Sequence, residues 1–295
     1  MISIFTPTYN RAELLPKLKK SLDQQTCTDF EWIIVDDGSS DSTMELLDSW
    51  EKESHPYNLI VDKQKNQGKH IAFNHGVKLT SSKWFICVDS DDLLTKEAVK
   101  IMTEDIEKVS DANVGIVYPR IQKEFNVEKQ WSKIDGRDID IVDLKELYGI
   151  PESAILMRTK IIKDLPFPKF KNEKFLPESW LYQKLANLGK FHVRNTPFYT
   201  SEYQLAGLTA NVWKLWYNNP VGVLDVLTKK YAQFEEYHFK NKIIAKAKVL
   251  INIDALCMAT NRSILEVVPS KMWGVFLMIP AIFFSKQRFS KFKKL

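Results

Sequence analysis

The stretch WFICVDSDD, residues 84–92, joins five apolar residues to three aspartates within four positions. The apolar run indicates a buried strand, and a helix is expected from about Lys96 to Val109. In sheets of parallel strands, ligand-binding groups lie just beyond the carboxyl ends of the strands. The stretch therefore predicts an α/β sheet with an acidic site at the end of one strand.

The rest of the first half repeats this order of apolar strand and helix. We predict strands at residues 2–6, 30–35, 58–62, 84–88 and 114–118. We expect further helices from about Arg11, after Ser42 and from about Lys69 to Leu79, with Asn10 and the Ser42–Glu45 pair as caps. Such repeats imply a Rossmann-like, mostly parallel sheet flanked by helices.

The second half is less regular. It contains a predicted strand at 153–158, a helix near 178–188 and two helices at 225–234 and 242–259. We interpret its last part as a C-terminal helical extension.

Composition narrows the class of protein. Hydrophobic residues make up 44% and charged residues 27% of the 295 residues, which excludes a disordered chain and a polytopic membrane protein. Cys27, Cys87 and Cys257 form no CxxC pair, which favours a reducing compartment over a disulfide framework or a zinc site. No basic stretch precedes the apolar N-terminus, so we interpret MISIF as the first strand and not as a signal peptide.

The acidic cluster carries the chemistry. Asp89, Asp91 and Asp92 repel one another, and a hard dication such as Mn²⁺ or Mg²⁺ would relieve that repulsion while taking water and phosphate oxygens as its other ligands. Such an ion stabilises the charge that develops on a leaving diphosphate. The alternative is a solvated turn that caps the next helix, but a cap needs only one acidic residue.

Three further segments follow predicted strands. Asp36 and Asp37 can accept hydrogen bonds from a base or a ribose, or they belong to an ordinary Asp-Gly turn. In the segment after the first strand, Tyr9 can stack on a base and Arg11 can face phosphate, or this segment is only a helix entry. The segment Asn66–Lys69 offers a glycine for close backbone approach and a lysine for phosphate, although such loops are common.

Together PTYNR, VDDGSSDST, KNQGK and VDSDD resemble, in order and spacing, the family 2 glycosyltransferases over about residues 1–120. The resemblance implies a GT-A fold, an inverting reaction and a nucleotide-sugar donor, mostly a UDP-sugar. The donor-binding residues it implies are Pro7, Tyr9, Arg11, Asp36, Asp37, Asn66, Gly68, Lys69, Asp89, Ser90 and Asp91. The metal ligands it implies are Asp89, Asp91 and Asp92, holding Mn²⁺ or Mg²⁺.

By the same resemblance, residues 1–118 form the nucleotide-sugar-binding half, 119–218 the acceptor-binding half and 219–295 the helical extension. In this family the base that deprotonates the acceptor lies on an acidic motif at a helix start. The match is Glu178, although Ser179 replaces the usual Asp, and the alternative is a residue favoured only by the helix dipole.

Other groups compete for these roles. Glu173 and Glu152 are the nearest competitors of Glu178 as the base. Trp180 and Trp213 are candidates for binding a sugar acceptor, although an aromatic cluster at near-helical spacing is more often packing.

The C-terminal tail, residues 267–295, holds six basic residues and no acidic one, so the net charge of +5 leaves the rest of the chain near neutral. This distribution does not indicate a nucleic-acid partner. Residues 272–284 are apolar but shorter than the roughly 20 residues that a spanning helix needs. We expect the tail to lie on an anionic membrane surface, on the inner face of the cell membrane, where a lipid-linked acceptor would be found; the alternative is a helix packed on the domain.

We therefore expect an enzyme that transfers a sugar to a glycan or lipid-linked acceptor, as in surface polysaccharide synthesis. A nucleotidyltransferase is the alternative enzyme, but it would usually carry a glycine-rich basic loop near the N-terminus. A catalytically inactive sugar-nucleotide-binding protein at the membrane is the third reading, which Ser179 keeps open.

Overall fold

The computed structural model of the chain describes residues 1–121, 127–201, 207, 210–236 and 241–292. The chain forms two compact units, Met1–Phe167 with Lys184–Tyr203, and Pro168–Gln183 with Gln204–Leu295. These two units are defined by contacts within the fold, whereas the three-part division above is defined by expected function. The three-part division therefore stays a prediction.

The first unit is built on an eight-stranded sheet. Among the described residues the strands are Ile2–Thr8 (β1), Phe30–Asp36 (β2), Asn58–Lys63 (β3), Trp84–Cys87 (β4), Leu93–Leu94 (β5), Gly115–Tyr118 (β6), Arg120–Ile121 (β7), Asp138–Ile139 (β8), Ala154–Arg158 (β9), Phe191–Val193 (β10) and Tyr199–Thr200 (β11). The order of the large sheet is β3-β2-β1-β4-β9-β6-β10-β8, with β8 and β9 antiparallel to their neighbours and the other pairs parallel. The predicted mostly parallel sheet is confirmed.

Helices follow most of these strands. The described helices are Leu15–Asp23 (α1), Thr43–Trp50 (α2), Lys69–Leu79 (α3), Ala98–Ile106 (α4), Glu128–Ile134 (α5), Asp143–Glu146 (α6), Thr159–Lys163 (α7), Ser179–Ala186 (α8), Val212–Asn218 (α9), Pro220–Glu236 (α10), Lys242–Ala259 (α11), Ile264–Val267 (α12), Lys271–Phe276 (α13) and Met278–Phe289 (α14), with a short 3-10 turn at Ser290–Phe292. The bounds of α3 and α11 are those predicted.

The predicted cap at Asn10 is wrong, whereas Ser42 is the N-cap residue of α2 without the predicted side-chain bond. Asn10 has a left-handed backbone, with φ 53°, and its amide side chain accepts a hydrogen bond from Ser40 N at 2.8 Å, so the helix begins only at Leu15. Ser42 occupies the N-cap position of α2, but its side chain makes no cap bond, and Asp41 accepts from Thr43 N at 3.0 Å. In both places a longer-range or neighbouring partner replaces the local motif.

Each unit has its own apolar core. In the first unit, side chains of the central strands pack against α1, α2 and α4, and Trp32 and Ile4 are fully buried. In the second unit, α10, α11 and α14 enclose Ile253, Leu256 and Phe289. The first core fixes the strand ends that carry the polar segments.

A buried carboxylate ties β2 to the loop before β4. Glu31 is fully buried and accepts hydrogen bonds from the hydroxyl groups of Ser3, Thr80, Ser81 and Ser82 and from the backbone N–H groups of Ser81 and Ser82. Burial alone would raise the pKa of Glu31, but these hydrogen bonds outweigh it and lower that pKa below its usual value. The carboxylate is therefore a structural anion.

We expect Glu31→Gln to lower the free energy of unfolding by about 2 kcal/mol at pH 7, because the amide leaves buried donors without an acceptor. Urea unfolding measures this, with the exposed Glu104→Gln as the control. The pKa of Glu31 is lower in the folded than in the unfolded protein. The difference in free energy of unfolding between wild type and Glu31→Gln is therefore complete above the unfolded pKa and shrinks as the pH falls through the folded pKa. A difference independent of pH would contradict this assignment.

Candidate active site

The four polar segments predicted from the sequence meet at one edge of the sheet. The loops after β2, β1 and β4 are neighbours because β1 lies between β2 and β4 in parallel. Lys69 Nζ lies 2.6 Å from Asp89 Oδ1, and Arg11 Nη2 lies 4.0 Å from Asp91 Oδ2. The segments therefore contact one another through opposite charges.

Asp37 anchors the loop that leads into α3. Its carboxylate accepts hydrogen bonds from Gln67 N and Gly68 N, both at 2.7 Å, and from Gln64 Nε2 at 2.8 Å. Asp37 is only 5% exposed. It thus holds the loop in place, and its predicted contact with a nucleoside stays a prediction.

A chain of polar side chains extends behind Asp37. Since Gln64 donates its Nε2 to Asp37, its Oε1 is left to accept from His75 Nδ1 at 3.3 Å. His75 Nε2 lies 2.9 Å from Asp62 Oδ2 on β3. The position of Asp37 therefore depends on both β3 and α3, a link that no sequence motif indicated.

Two glycines allow these loops to approach. Gly38 has φ 72°, and a Cβ there would lie 2.8 Å from Asn66 N, so a larger residue would force the loops apart. Gly68, at the start of α3, has φ 96°. Asp36, also buried, closes its own turn by accepting from Ser39 N at 2.9 Å and from the Ser39 hydroxyl.

The remaining donor-site candidates differ in exposure. Tyr9 is 47% exposed, which leaves its ring free to stack on a planar group. Pro7 is buried within β1, and Ser90 is buried inside the acidic loop. Tyr9 is therefore the accessible member of this group, and the donor contacts predicted for Pro7 and Ser90 stay predictions.

Asp92 contacts two residues, Tyr199 and Arg120, that were not predicted from the sequence. Tyr199 donates its hydroxyl to Asp92 Oδ2 at 2.7 Å and accepts from Asp89 N at 3.1 Å. Arg120 Nη1 lies 3.6 Å from Asp92 Oδ2. Arg120 follows the predicted fifth strand and could have been noticed on that ground, whereas the two-residue strand of Tyr199 gives no signal.

The three carboxyls differ in charge preference. Burial, then the charge of Asp89, raises the pKa of Asp92 to about 7 and also raises the pKa of Asp91. Burial would raise the pKa of Asp89 as well, but the attraction of Lys69 and Arg120 outweighs it and lowers that pKa. Added positive charge would favour the ionised form of all three.

The acidic loop fits part of a metal site. Among the described residues, no group of three or more His, Cys, Asp or Glu side chains could hold a metal ion. Asp92 turns towards Tyr199, and the expectation that Asp89, Asp91 and Asp92 together hold one ion stays a prediction. Asp89 and Asp91 still suit a hard dication that uses one or two carboxylates and completes its shell with water or phosphate oxygens.

Glu178 directly precedes α8 and is exposed. Tyr182, one turn later, donates its hydroxyl to Glu178 Oε2 at 3.1 Å. Its competitor Glu152 lies 3.8 Å from Arg120 Nη1. An exposed carboxylate with a hydroxyl partner suits the role of base, which stays a prediction.

The other competitor, Glu173, caps a helix. Its two carboxylate oxygens accept from Val221 N at 2.7 Å and Gly222 N at 2.8 Å, in the first turn of α10. Asn219 Oδ1 in turn accepts from the backbone N–H groups of the two residues after Glu173, at 2.7 and 3.1 Å. Glu173 is therefore engaged in holding the segment before Glu178.

The two tryptophans considered for acceptor binding are engaged in packing. Trp180 is 8% exposed. The ring of Trp213 contacts Trp216 and Phe289, at 5.2 and 5.9 Å between centroids, and lies 4.2 Å from Arg288 Cζ. This geometry favours the packing alternative, and the acceptor role stays a prediction.

Comparison with known proteins agrees with this geometry. Residues 3–166, more than half of the chain, match the family described as Glycosyl transferase family 2. The poly-beta-1,6-N-acetyl-D-glucosamine synthase of Staphylococcus epidermidis is 31% identical over 126 residues, which is 43% of this chain and 30% of that protein. The chain spans about a third of the length of the curated relatives it matches.

Two solved structures show the fold. S. aureus TarS 1-349 in complex with UDP-GlcNAc has a TM-score of 0.61 at 18% identity, covering 98% of this chain and 81% of that one. The mannosyltransferase PcManGT from Pyrobaculum calidifontis, in complex with GDP-Man and Mn²⁺, has a TM-score of 0.56 at 14% identity, covering 99% and 82%. The predicted GT-A fold is thereby confirmed.

We expect Asp37→Ala to loosen the loop before α3, because two backbone N–H groups lose their acceptor. Hydrogen–deuterium exchange should speed up by roughly tenfold or more at Gln67 and Gly68, the equivalent of more than about 1.4 kcal/mol of local stability. Asp48→Ala, at an exposed position in α2, is the control. Unchanged exchange in Asp37→Ala would show that the loop does not depend on this carboxylate.

Proposed function

We propose, since the chain belongs to glycosyl transferase family 2, that it moves a sugar from a nucleotide-sugar donor to an acceptor hydroxyl. The observation that carries this proposal is the meeting of Asp89 and Asp91 with Lys69 and Arg11 at the carboxyl edge of the sheet. Carboxylates for a metal ion and cations for a diphosphate are the groups that a leaving nucleoside diphosphate needs. The donor is a UDP-sugar, by analogy with the relatives of this fold.

In the proposed complex, Tyr9 stacks on the base and the loops held by Asp36 and Asp37 contact the nucleoside. Lys69 and Arg11, which neutralise the acidic loop in the free protein, turn to the phosphates as these enter. The opposite charges thus exchange partners without leaving any charge unpaired.

Asp89 and Asp91 are the proposed ligands of a Mn²⁺ or Mg²⁺ ion. When bound, such an ion supplies Lewis-acid stabilisation of the leaving diphosphate. The carboxylates themselves fix where the diphosphate lies, and a bound cation would offset the burial and the repulsion from Asp89 that raise the pKa of Asp91.

Glu178 is the proposed base. It takes the proton from the acceptor hydroxyl as that oxygen attacks the anomeric carbon from the face opposite the leaving group, which inverts the configuration. The Tyr182 hydroxyl donates to Oε2 of Glu178 and so orients its carboxylate. Ser179, which replaces the usual Asp, has no part in this step.

The acceptor is proposed to be a glycan or a lipid-linked sugar, as in surface polysaccharide synthesis, reached at the inner face of the cell membrane. Helices α13 and α14 bury Ala281 and Phe289 but expose Phe276, Ile279 and Phe283 by 71, 81 and 62%. In the part of the chain that the structure describes, no helix has the length and apolar character to cross a bilayer. An exposed apolar face beside basic residues suits a position in the lipid interface.

We expect the protein to release sugar and nucleoside diphosphate from one member of a nucleotide-sugar panel, with water as acceptor, only when Mn²⁺ or Mg²⁺ is present. Glu178→Gln should slow this release by roughly a hundredfold or more, because the base is lost. Its thermal shift with Mn²⁺ and nucleotide should remain, since the role proposed for Glu178 is on the acceptor and not on the donor diphosphate.

Glu152→Gln is the matched control, because it removes the competing carboxylate. Loss of turnover in Glu152→Gln but not in Glu178→Gln would move the base to Glu152. Release of sugar 1-phosphate instead of free sugar would indicate nucleotidyl transfer, and no release from any donor would contradict the proposed activity.

We expect Phe276→Ser/Ile279→Ser to weaken binding to phosphatidylglycerol vesicles by roughly tenfold or more, since each buried apolar side chain contributes about 1.5–3 kcal/mol. Point changes are preferable to truncation because α14 packs on α11 through buried residues. Leu147→Ser/Leu188→Ser, which changes two residues exposed by 51 and 55%, is the control. Equal vesicle sedimentation of both double variants and wild type would exclude the membrane role of this face.

A further inference from the structure

A small second sheet lies directly after the acidic loop. Strand β5 begins at the residue after Asp92, and it pairs with β11, which pairs in turn with β7. In this register Tyr199 is opposite both Leu94 and Arg120. The backbone of Tyr199 and Arg120 is therefore fixed relative to the end of the loop.

One hydroxyl contacts both ends of the loop. Tyr199 is fully buried, and its hydroxyl accepts from Asp89 N at 3.1 Å while donating to Asp92 Oδ2 at 2.7 Å. A buried phenol with both hydrogen-bonding functions used has little freedom to move. The loop Asp89–Asp92 is thus closed across its base by a single side chain.

Arg120 supports this closure from the other side of the ring. Its Cζ lies 4.2 Å from the centroid of the Tyr199 ring, and its Nη1 lies 3.6 Å from Asp92 Oδ2. Its Nε donates to Ser153 O at 3.1 Å, just before β9. The guanidinium therefore holds the ring and the carboxylate together while being anchored to a large-sheet strand.

The three aspartates also differ in how far solvent reaches them. The side chains of Asp89 and Asp91 are 30 and 18% exposed, whereas that of Asp92 is 6% exposed. Asp92 Oδ2 already accepts from the Tyr199 hydroxyl and lies beside the Arg120 guanidinium, so an ion on that oxygen would have to displace both partners. Asp89 and Asp91 are the more accessible pair, and their partners Lys69 and Arg11 are the cations proposed to turn to the phosphates.

We propose that Tyr199, Arg120 and Asp92 form a clamp that shapes the acidic loop, and that Asp92 is a positioning residue and not a metal ligand. This inference rests on the proposed function, because the loop it shapes is the one that receives the metal ion and the diphosphate. Asp89 and Asp91 are then the two carboxylates left for the ion.

The test measures the affinity of the protein for Mn²⁺ in the presence of UDP or GDP. The EPR signal of free Mn²⁺ reports how much of the ion remains unbound. Asp91→Asn should weaken Mn²⁺ binding by roughly a hundredfold, because a ligand charge is lost. Asp92→Asn should stay within about fivefold of wild type, since its amide oxygen still accepts from Tyr199 and only the charge-assisted part of that bond is lost.

Tyr199→Phe keeps the ring against Arg120 and removes both hydrogen bonds. We expect it to weaken Mn²⁺ binding by roughly tenfold, as for other residues that orient metal ligands. Arg120→Gln should act in the same direction. Tyr118→Phe, which removes another buried phenol hydroxyl of the same core, should leave Mn²⁺ binding unchanged.

The outcomes separate the two proposals. If Asp92→Asn loses as much Mn²⁺ affinity as Asp91→Asn, or if Tyr199→Phe loses none, the clamp is overturned and the proposed function stands. If wild type binds no Mn²⁺ with either nucleotide, both fall. Thermal unfolding of each variant, compared with Tyr118→Phe, distinguishes a shaped loop from general loss of folding.

Discussion

Repulsion among the carboxylates that follow one strand is the constraint on which the rest of this structure depends. Each carboxylate of the acidic loop faces a cation from a distant segment: Lys69 faces Asp89, Arg11 faces Asp91 and Arg120 faces Asp92. Such a loop is tolerable only if the fold delivers those cations to the same edge. The parallel order β3-β2-β1-β4 does this for Arg11 and Lys69, and the small sheet β5-β11-β7 does it for Arg120.

The same physical device recurs away from that edge. Buried carboxylates at Glu31 and Asp37 each collect several N–H or O–H donors from loops that are distant in sequence. Because a buried anion is stable only when its oxygens are well supplied with donors, each one fixes the loops that supply them. The first unit thus uses acidic side chains both to define its loops and to prepare a place for cations.

Much of this could be predicted from sequence, because the strands are apolar runs and the four polar segments directly follow strands. The helix Lys69–Leu79 follows from the sequence pattern, whereas the grouping of Asp37, Lys69 and Asp89 at one site rested on the family resemblance. The role of Asn10 was not predicted, because its hydrogen-bond partner is Ser40, thirty residues away, and not its own helix. Tyr199 and Arg120 were not predicted for a related reason. Two-residue strands have no periodicity to detect, and the contacts of these two side chains are set by the tertiary fold.

The cap that Glu173 places on α10 has a consequence for geometry at a lipid surface. It joins the stretch leading to Glu178 to the same compact unit that carries the exposed apolar helices. If those helices rest on lipid, the height of the Glu178 carboxylate above the bilayer is set by one folded body. Only hydroxyl groups standing at that height would meet it, so acceptor length could be selected by distance alone.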